Sequence, residues 1–197
     1  MFVNNEPIIL ASGSPRRRHY LDDLGLSFTV CAVTINETPF TGEDADAFVV
    51  RMAREKAAAA TENYTRSWVI AGDTVVYLGQ QILGKPVDKK DAVSMLMSLS
   101  GREHKVLTGI CLSHAGKNVV SHRLTETKVR FADFDERTAR AYVGSGEWID
   151  KAGAYGIQGK GAFLVKTIEG SYSNVVGLPL HELLEMLRYY GVIEPCC

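Results

Sequence analysis

Ile8-Ile9-Leu10-Ala11-Ser12-Gly13-Ser14-Pro15-Arg16-Arg17-Arg18 decides the fold of this chain. Four apolar residues read as a buried strand, and a serine–proline pair then opens a helix. A strand that hands over to a helix through a short glycine-containing turn is the start of an α/β unit. Such a turn can aim backbone N–H groups, hydroxyls and guanidinium forks at one anion. Arginine suits phosphate because two parallel hydrogen bonds form at once. The same residues also make an ordinary helix start, with Ser14 as N-cap, Pro15 at N1 and the arginines on a solvated face. Both readings stand on these residues alone.

Outward from this turn, strands and helices alternate. Arg16 to Leu24 predicts a helix closed by Gly25, and Phe28 to Val33 a strand. The alanine-rich stretch from Asp44 to Ala60 predicts a long acid-capped helix. Trp68 to Leu78 is apolar and β-branched, with an expected interruption at Gly72-Asp73-Thr74, and Gly79-Gln80 turns it into a hairpin with Gln81-Ile82-Leu83. Asp88 caps a helix to Leu99. Lys105 to Ser113 and Val119 to Phe131 form two long antiparallel strands. Asp135 starts a helix to Val143, a glycine-rich tract runs from Gly144 to Gly161, and Phe163 to Ile168 is a last strand. Pro179 opens a final amphipathic helix through Tyr190. The later hairpin makes the sheet mixed. No linker or repeat divides the chain, so residues 1–197 are expected to form one α/β domain, with two lobes.

The 197 residues are 46% hydrophobic and 23% charged, the balance of a soluble globular protein. The net charge of −1 argues against a nucleic-acid binder, so the arginine cluster is local. No apolar run approaches the ~20 residues that span a bilayer, and Glu6 interrupts any secretory signal. The four cysteines, Cys31, Cys111, Cys196 and Cys197, match no zinc or redox spacing. Cys31 and Cys111 are expected to be buried thiols in strands, the Cys196-Cys197 pair to be oxidation-prone where exposed, and the compartment to be the reducing cytoplasm.

Several residues can carry chemistry. Asp73 places a carboxylate inside an apolar strand pattern, where its charge requires a partner. It reads as a general base or magnesium ligand, or else as a turn aspartate satisfied by backbone. Lys56 follows Arg51 and Arg54 on the long helix, where a solvated face is the plainer reading. Lys85, between Gly84 and Pro86, can reach a phosphate as a point charge or simply sit in solvent. Glu37 lies in an irregular stretch and can offer oxygen to magnesium. His104 begins a strand, most simply as a structural residue. No serine or cysteine nucleophile is marked out by a paired histidine and acid, which argues against a covalent triad. In Asp150-Lys151-Ala152-Gly153-Ala154-Tyr155-Gly156-Ile157-Gln158-Gly159, Tyr155 can stack and the Gln158 amide can pair with the imide edge of a pyrimidine. Gly170 to Pro179 either lines a site or shapes the entry to the last helix.

Seven motifs in one order resemble the Maf family of nucleoside triphosphate pyrophosphatases. They are Ser12-x-Ser14-Pro15-Arg16-Arg17, Lys56-Ala57, Gly72-Asp73-Thr74-Val75, Lys85-Pro86, Ser100-Gly101 with His104, Asp150 to Tyr155, and Asn174 to Pro179. The resemblance covers almost the whole chain. It implies a mixed twisted sheet flanked by helices, in two lobes around a cleft, similar to the fold of inosine triphosphatases. It also implies a housekeeping hydrolase that cleaves non-canonical or free nucleotides, modified pyrimidine nucleotides included, between the α- and β-phosphates, with a divalent metal (Mg²⁺, or Mn²⁺), as a homodimer. The Tyr155 to Gly159 run is similar to the branch acting on dTTP and UTP. The branch favouring 7-methyl-GTP tends to carry a Ser-Glu or similar pair near Gln158. On this reading Asp73 is the general base. Lys56, Lys85, Arg16 and Arg17 neutralise the triphosphate, and Ser12 and Ser14 hydrogen-bond it. Glu37 and Asp73 hold the metal, and Gln158 with Thr74 reads the base. The alternative is a non-catalytic, nucleotide-responsive regulator of septum formation. Neither nucleic acid nor membrane is an expected partner.

Overall fold

The computed structural model describes residues 1–196. Cys197, one half of the C-terminal cysteine pair, lies outside the described residues. The elements in order are β1 (Phe2–Asn4), β2 (Ile8–Leu10), α1 (Pro15–Asp23), β3 (Phe28–Val30), α2 (Ala45–Thr61), β4 (Trp68–Leu78), β5 (Gln81–Leu83) and α3 (Lys89–Leu99). They continue with β6 (Glu103–His114), β7 (Val119–Phe131), α4 (Glu136–Gly144), β8 (Val165–Glu169), α5 (Tyr172–Val176), α6 (Leu180–Tyr189) and β9 (Ile193–Pro195). Seven strands form a sheet in the order β3-β2-β4-β6-β7-β8, with β5 paired to β4. β2 runs parallel to both β3 and β4, whereas β5 is antiparallel to β4 and β8 to β7, so the sheet is mixed. No helix is long and apolar enough to cross a membrane among the described residues.

The chain divides into two compact units. The first comprises Met1–Asp73, Thr108–Thr125 and the chain from Gly177, and the second Thr74–Leu107 and Glu126–Val176.

In the first unit, strand alternation sorts two cores. Ile8, Leu10, Trp68, Ile70, Ile110 and Leu112 point to one face, against Leu21 of α1 and Leu183, Met186 and Leu187 of α6. Ile9, Ala11, Val69, Ala71 and Cys111 point to the other, against Ala53, Ala57 and Ala60 of α2. Burial raises the Cys111 thiol to about 11, so it stays protonated. Small side chains on α2 let that helix approach the sheet closely. Gly109 of β6 is the contact point. A Cβ there would stand 2.7 Å from the Val49 carbonyl carbon and 2.9 Å from the Val50 nitrogen, both backbone atoms. Gly109→Ala is therefore expected to cost about 1–3 kcal/mol of stability by overpacking. A denaturant titration with an unchanged midpoint would show that α2 is free to shift.

In the second unit, α3 and α4 start at Asp88 and Asp135, whose side chains accept from the backbone N–H of Asp91 and Thr138.

Two expectations need correction. β4 is continuous through Gly72, Asp73 and Thr74, because the Asp73 charge is compensated by a lysine described below. The strand at Phe28 stops at Val30 and leaves Cys31 half-buried, outside any strand. A further backbone bond, Cys31 N–H to Leu10 carbonyl, continues that edge. The chain ends also pair, β1 with β9, in a two-stranded antiparallel sheet.

Candidate active site

The turn after β2 is ordered by its own side chains. Ser14 caps α1 by accepting from Arg17 N–H, with Pro15 in the first turn. The buried Ser12 hydroxyl accepts from Ser14 N–H at 3.2 Å and from Arg17 Nη1 at 3.1 Å. Arg17 Nε donates to the Gly177 carbonyl at 2.7 Å. Two Arg17 donors are thus committed to the protein, and its guanidinium works as a strut between the turn and the segment leading to α6. Burial lowers its proton affinity, and the Asp73 charge opposes that loss. A Cβ on Gly72, next to Asp73, would stand 3.2 Å from the Gly109 carbonyl oxygen, a close approach that the glycine permits. Arg16 is half-exposed beside it.

Lys56 departs from the solvated-face reading. The buried positions of α2 are Ala45, Phe48, Val49, Met52, Ala53, Lys56, Ala57 and Ala60, an unbroken three-and-four spacing. Lys56 falls on that stripe and points inward. Its ammonium lies 2.7 Å from Asp73 Oδ1 and 2.7 Å from Glu37 Oε1. The Lys56 and Asp73 side chains are only 11% and 15% exposed, so their charges meet where water screens them little. Glu37 comes to the same ammonium from the irregular segment, with its side chain 52% exposed. Three residues far apart in sequence converge on one point.

That donor set fits a hard divalent cation. Magnesium takes one or two carboxylates and completes its shell with water and substrate phosphate. Glu37 and Asp73 supply two carboxylates that meet at the Lys56 ammonium, whose single charge leaves one negative charge over. No group of three or more His, Cys, Asp or Glu side chains suited to a metal occurs among the described residues.

The remaining expected site residues belong to the second unit. Thr74 continues β4 and is half-exposed, Lys85 is exposed after β5, and Gln158 is exposed in the glycine-rich tract. The tract is firmly pinned. Gly156 N–H donates to Tyr142 Oη at 3.1 Å, and the Glu147 carboxylate accepts from the N–H groups of Lys160 and Gly161. Tyr155 is buried, and its hydroxyl lies 2.9 Å from His104 Nε2. The two rings form an edge-to-face cluster with Phe131. Asn174 is fully buried and donates to the Val106 carbonyl and to Thr127 Oγ1. Glu147 was not singled out in the sequence, and nothing local marks it, because its role is a backbone contact thirteen residues on.

Burial holds the His104 imidazole down to about 4, against an ordinary value near 6.5. An unfolded chain binds that proton more readily, so the stability contributed by neutral His104 is complete above pH 6.5. It is lost as pH falls towards 4, by about 3 kcal/mol at most. His104→Gln is expected to flatten the fall of melting temperature between pH 6.5 and 4. Parallel curves for the two proteins would assign that fall to other groups.

The sequence profile of the family described as Maf-like protein matches residues 7–190. The chain is 52% identical over 194 residues to the dTTP/UTP pyrophosphatase of Desulfotalea psychrophila, covering 98% of this chain and 100% of that one. It is 48% identical over 188 residues to the dTTP/UTP pyrophosphatase of Myxococcus xanthus, covering 95% and 94% of the two chains. Among solved structures, the Staphylococcus aureus Ham1 protein superposes with a TM-score of 0.59 at 12% identity, covering 94% of this chain and 100% of that one. A HAM1 protein from Coxiella burnetii gives 0.54 at 15% identity, covering 93% and 99%. These two share the fold.

Proposed function

The chain belongs to the Maf family, and from that premise we propose that it is a nucleoside triphosphate pyrophosphatase that hydrolyses dTTP and UTP to the monophosphate and pyrophosphate. The observation that carries this reading is the Lys56 ammonium shared between Glu37 and Asp73, beside the Arg17-braced turn. Relatives named dTTP/UTP pyrophosphatase at 52% and 48% identity support the substrate class.

Water attacks the α-phosphorus, its proton passes to the Asp73 carboxylate, and the bridging oxygen leaves with pyrophosphate. Lys56 pairs with both carboxylates. A polyphosphate competes for that ammonium and leaves Asp73 able to accept a proton. Lys56, Lys85 and Arg16 balance the negative charge of the triphosphate. Ser12 and Ser14 can donate their hydroxyl protons to it, and Arg17 holds their turn in shape while adding its own charge. A divalent cation, Mg²⁺ or Mn²⁺, held by Glu37 and Asp73 would supply further neutralisation of phosphate charge. Gln158 and Thr74 are the residues assigned to base reading. The reading carries with it a homodimer and a cytoplasmic location.

Incubating the protein with Mg²⁺ and a panel of dTTP, UTP, dCTP, dATP, GTP and 7-methyl-GTP tests this directly. The expected result is monophosphate and pyrophosphate from dTTP and UTP ahead of the others. Preferential cleavage of 7-methyl-GTP would move the chain to the other branch. Binding of nucleotide with no product would support a regulator without catalysis.

A further inference from the structure

Glu37 reaches the charge cluster from a segment, residues 31–44, that contains neither helix nor strand. Its residues 36–42 are exposed. An ion pair with a carboxylate as exposed as Glu37 contributes little by itself, because water and side-chain entropy offset it. Something else must hold the segment, and the structure contains a strong candidate five residues before Lys56 on the same helix.

Arg51 grips the segment at three places. Its Nε and Nη2 donate to the two carboxylate oxygens of Glu43, both at 2.6 Å. Nη2 also donates to the Thr38 carbonyl at 3.1 Å, directly after Glu37. Its guanidinium carbon lies 3.9 Å from the centre of the Phe40 ring, with Phe48 of α2 5.5 Å away. Nη1 is anchored on α2 itself by Glu55 at 3.1 Å. Glu43 closes the segment further by accepting from Phe40 N–H at 3.0 Å. The Arg51 and Glu43 side chains are 18% and 8% exposed, unlike an ordinary solvated pair. Mutual bonding raises the proton affinity of Arg51 and lowers that of Glu43, so both stay charged at neutral pH.

We propose that Arg51 is a positioning residue that fastens the Glu37 segment to α2 and so sets the Glu37 carboxylate against Lys56 and Asp73. One helix then controls both sides of the cluster: Lys56 meets the Glu37 carboxylate, and Arg51, about 7.5 Å along the axis, holds the backbone and the aromatic ring that follow it. A planar guanidinium is required, because a lysine cannot make the two-pronged bond to Glu43 and stack on Phe40 at once. The proposal rests on the reading of Glu37 as a metal-holding carboxylate.

The test compares Arg51→Met, Arg51→Lys, Glu43→Gln and Glu37→Gln with the parent. In metal-free protein, amide hydrogen exchange over residues 34–43 is expected to accelerate about 10-fold or more in Arg51→Met, less in Glu43→Gln, and not in α2. Arg51→Lys should resemble Arg51→Met, since charge alone does not form the clamp. In Mg²⁺-dependent dTTP hydrolysis, Arg51→Met should raise the half-activating Mg²⁺ concentration about 5- to 20-fold with the KM for dTTP at saturating Mg²⁺ within about 2-fold, a shift that at 20-fold corresponds to less than 2 kcal/mol. Unchanged exchange in both Arg51→Met and Glu43→Gln overturns the clamp. Faster exchange with an unchanged Mg²⁺ requirement, while Glu37→Gln raises that requirement, overturns the positioning role alone. An unchanged requirement in Glu37→Gln removes Glu37 from the metal, and the proposal falls with that reading.

Discussion

Asp73→Asn is expected to lower turnover of dTTP by at least about 100-fold, the lower end of what a positioned general base contributes, while the protein keeps its fold. The amide has nearly the shape of the carboxylate, and its oxygen can still accept from Lys56. What it cannot do is take a proton from water at neutral pH. The substitution also removes one negative charge from a point where Lys56, 2.7 Å away, is paired with two carboxylates. Glu37 remains to pair with that lysine. Folding is therefore preserved while the base and half of the metal-facing oxygen set are lost. Steady-state rates, with circular dichroism to check the fold, decide the matter. Near-parent turnover would transfer the base role elsewhere.

Lys56→Met should match that loss by a different route. Methionine fills the same place on the buried stripe between Ala53 and Ala57, so packing against the sheet changes little. The ammonium, however, is gone, and Glu37 and Asp73 are left facing each other. Removing one preorganised electrostatic contact to developing phosphate charge costs about 10²–10³ in kcat. A kcat within a few-fold of the parent would mean that Lys56 only pairs with a structural carboxylate.

The helix caps were legible because capping is local. Ser14, Asp88 and Asp135 each bond a backbone N–H three residues on, and a sequence carries that spacing openly. The strand at Ile8 and the small-residue face of α2 were legible for the same reason. Lys56 was legible in principle, since positions 45, 48, 49, 52, 53, 56, 57 and 60 form one stripe, but a charged residue among alanines invites the solvated reading. The continuity of β4 through Asp73 was hidden, because it depends on a lysine seventeen residues away that removes the cost of the charge. Tertiary pairing alone creates the β1–β9 ribbon, as each strand has three residues and no periodicity. Arg51 was passed over because its partners, Thr38, Phe40 and Glu43, lie in a stretch with no repeating pattern. Nothing in the local sequence links Arg17 to Gly177, which lies 160 residues away.

The proposed reaction is the attack of water on the α-phosphorus. Hydrolysing dTTP in ¹⁸O-labelled water and weighing both products by mass spectrometry tests it most directly. One ¹⁸O atom in dTMP and none in pyrophosphate is the predicted outcome. Label in pyrophosphate, or in orthophosphate released with dTDP, would place the attack on another phosphorus and contradict the account.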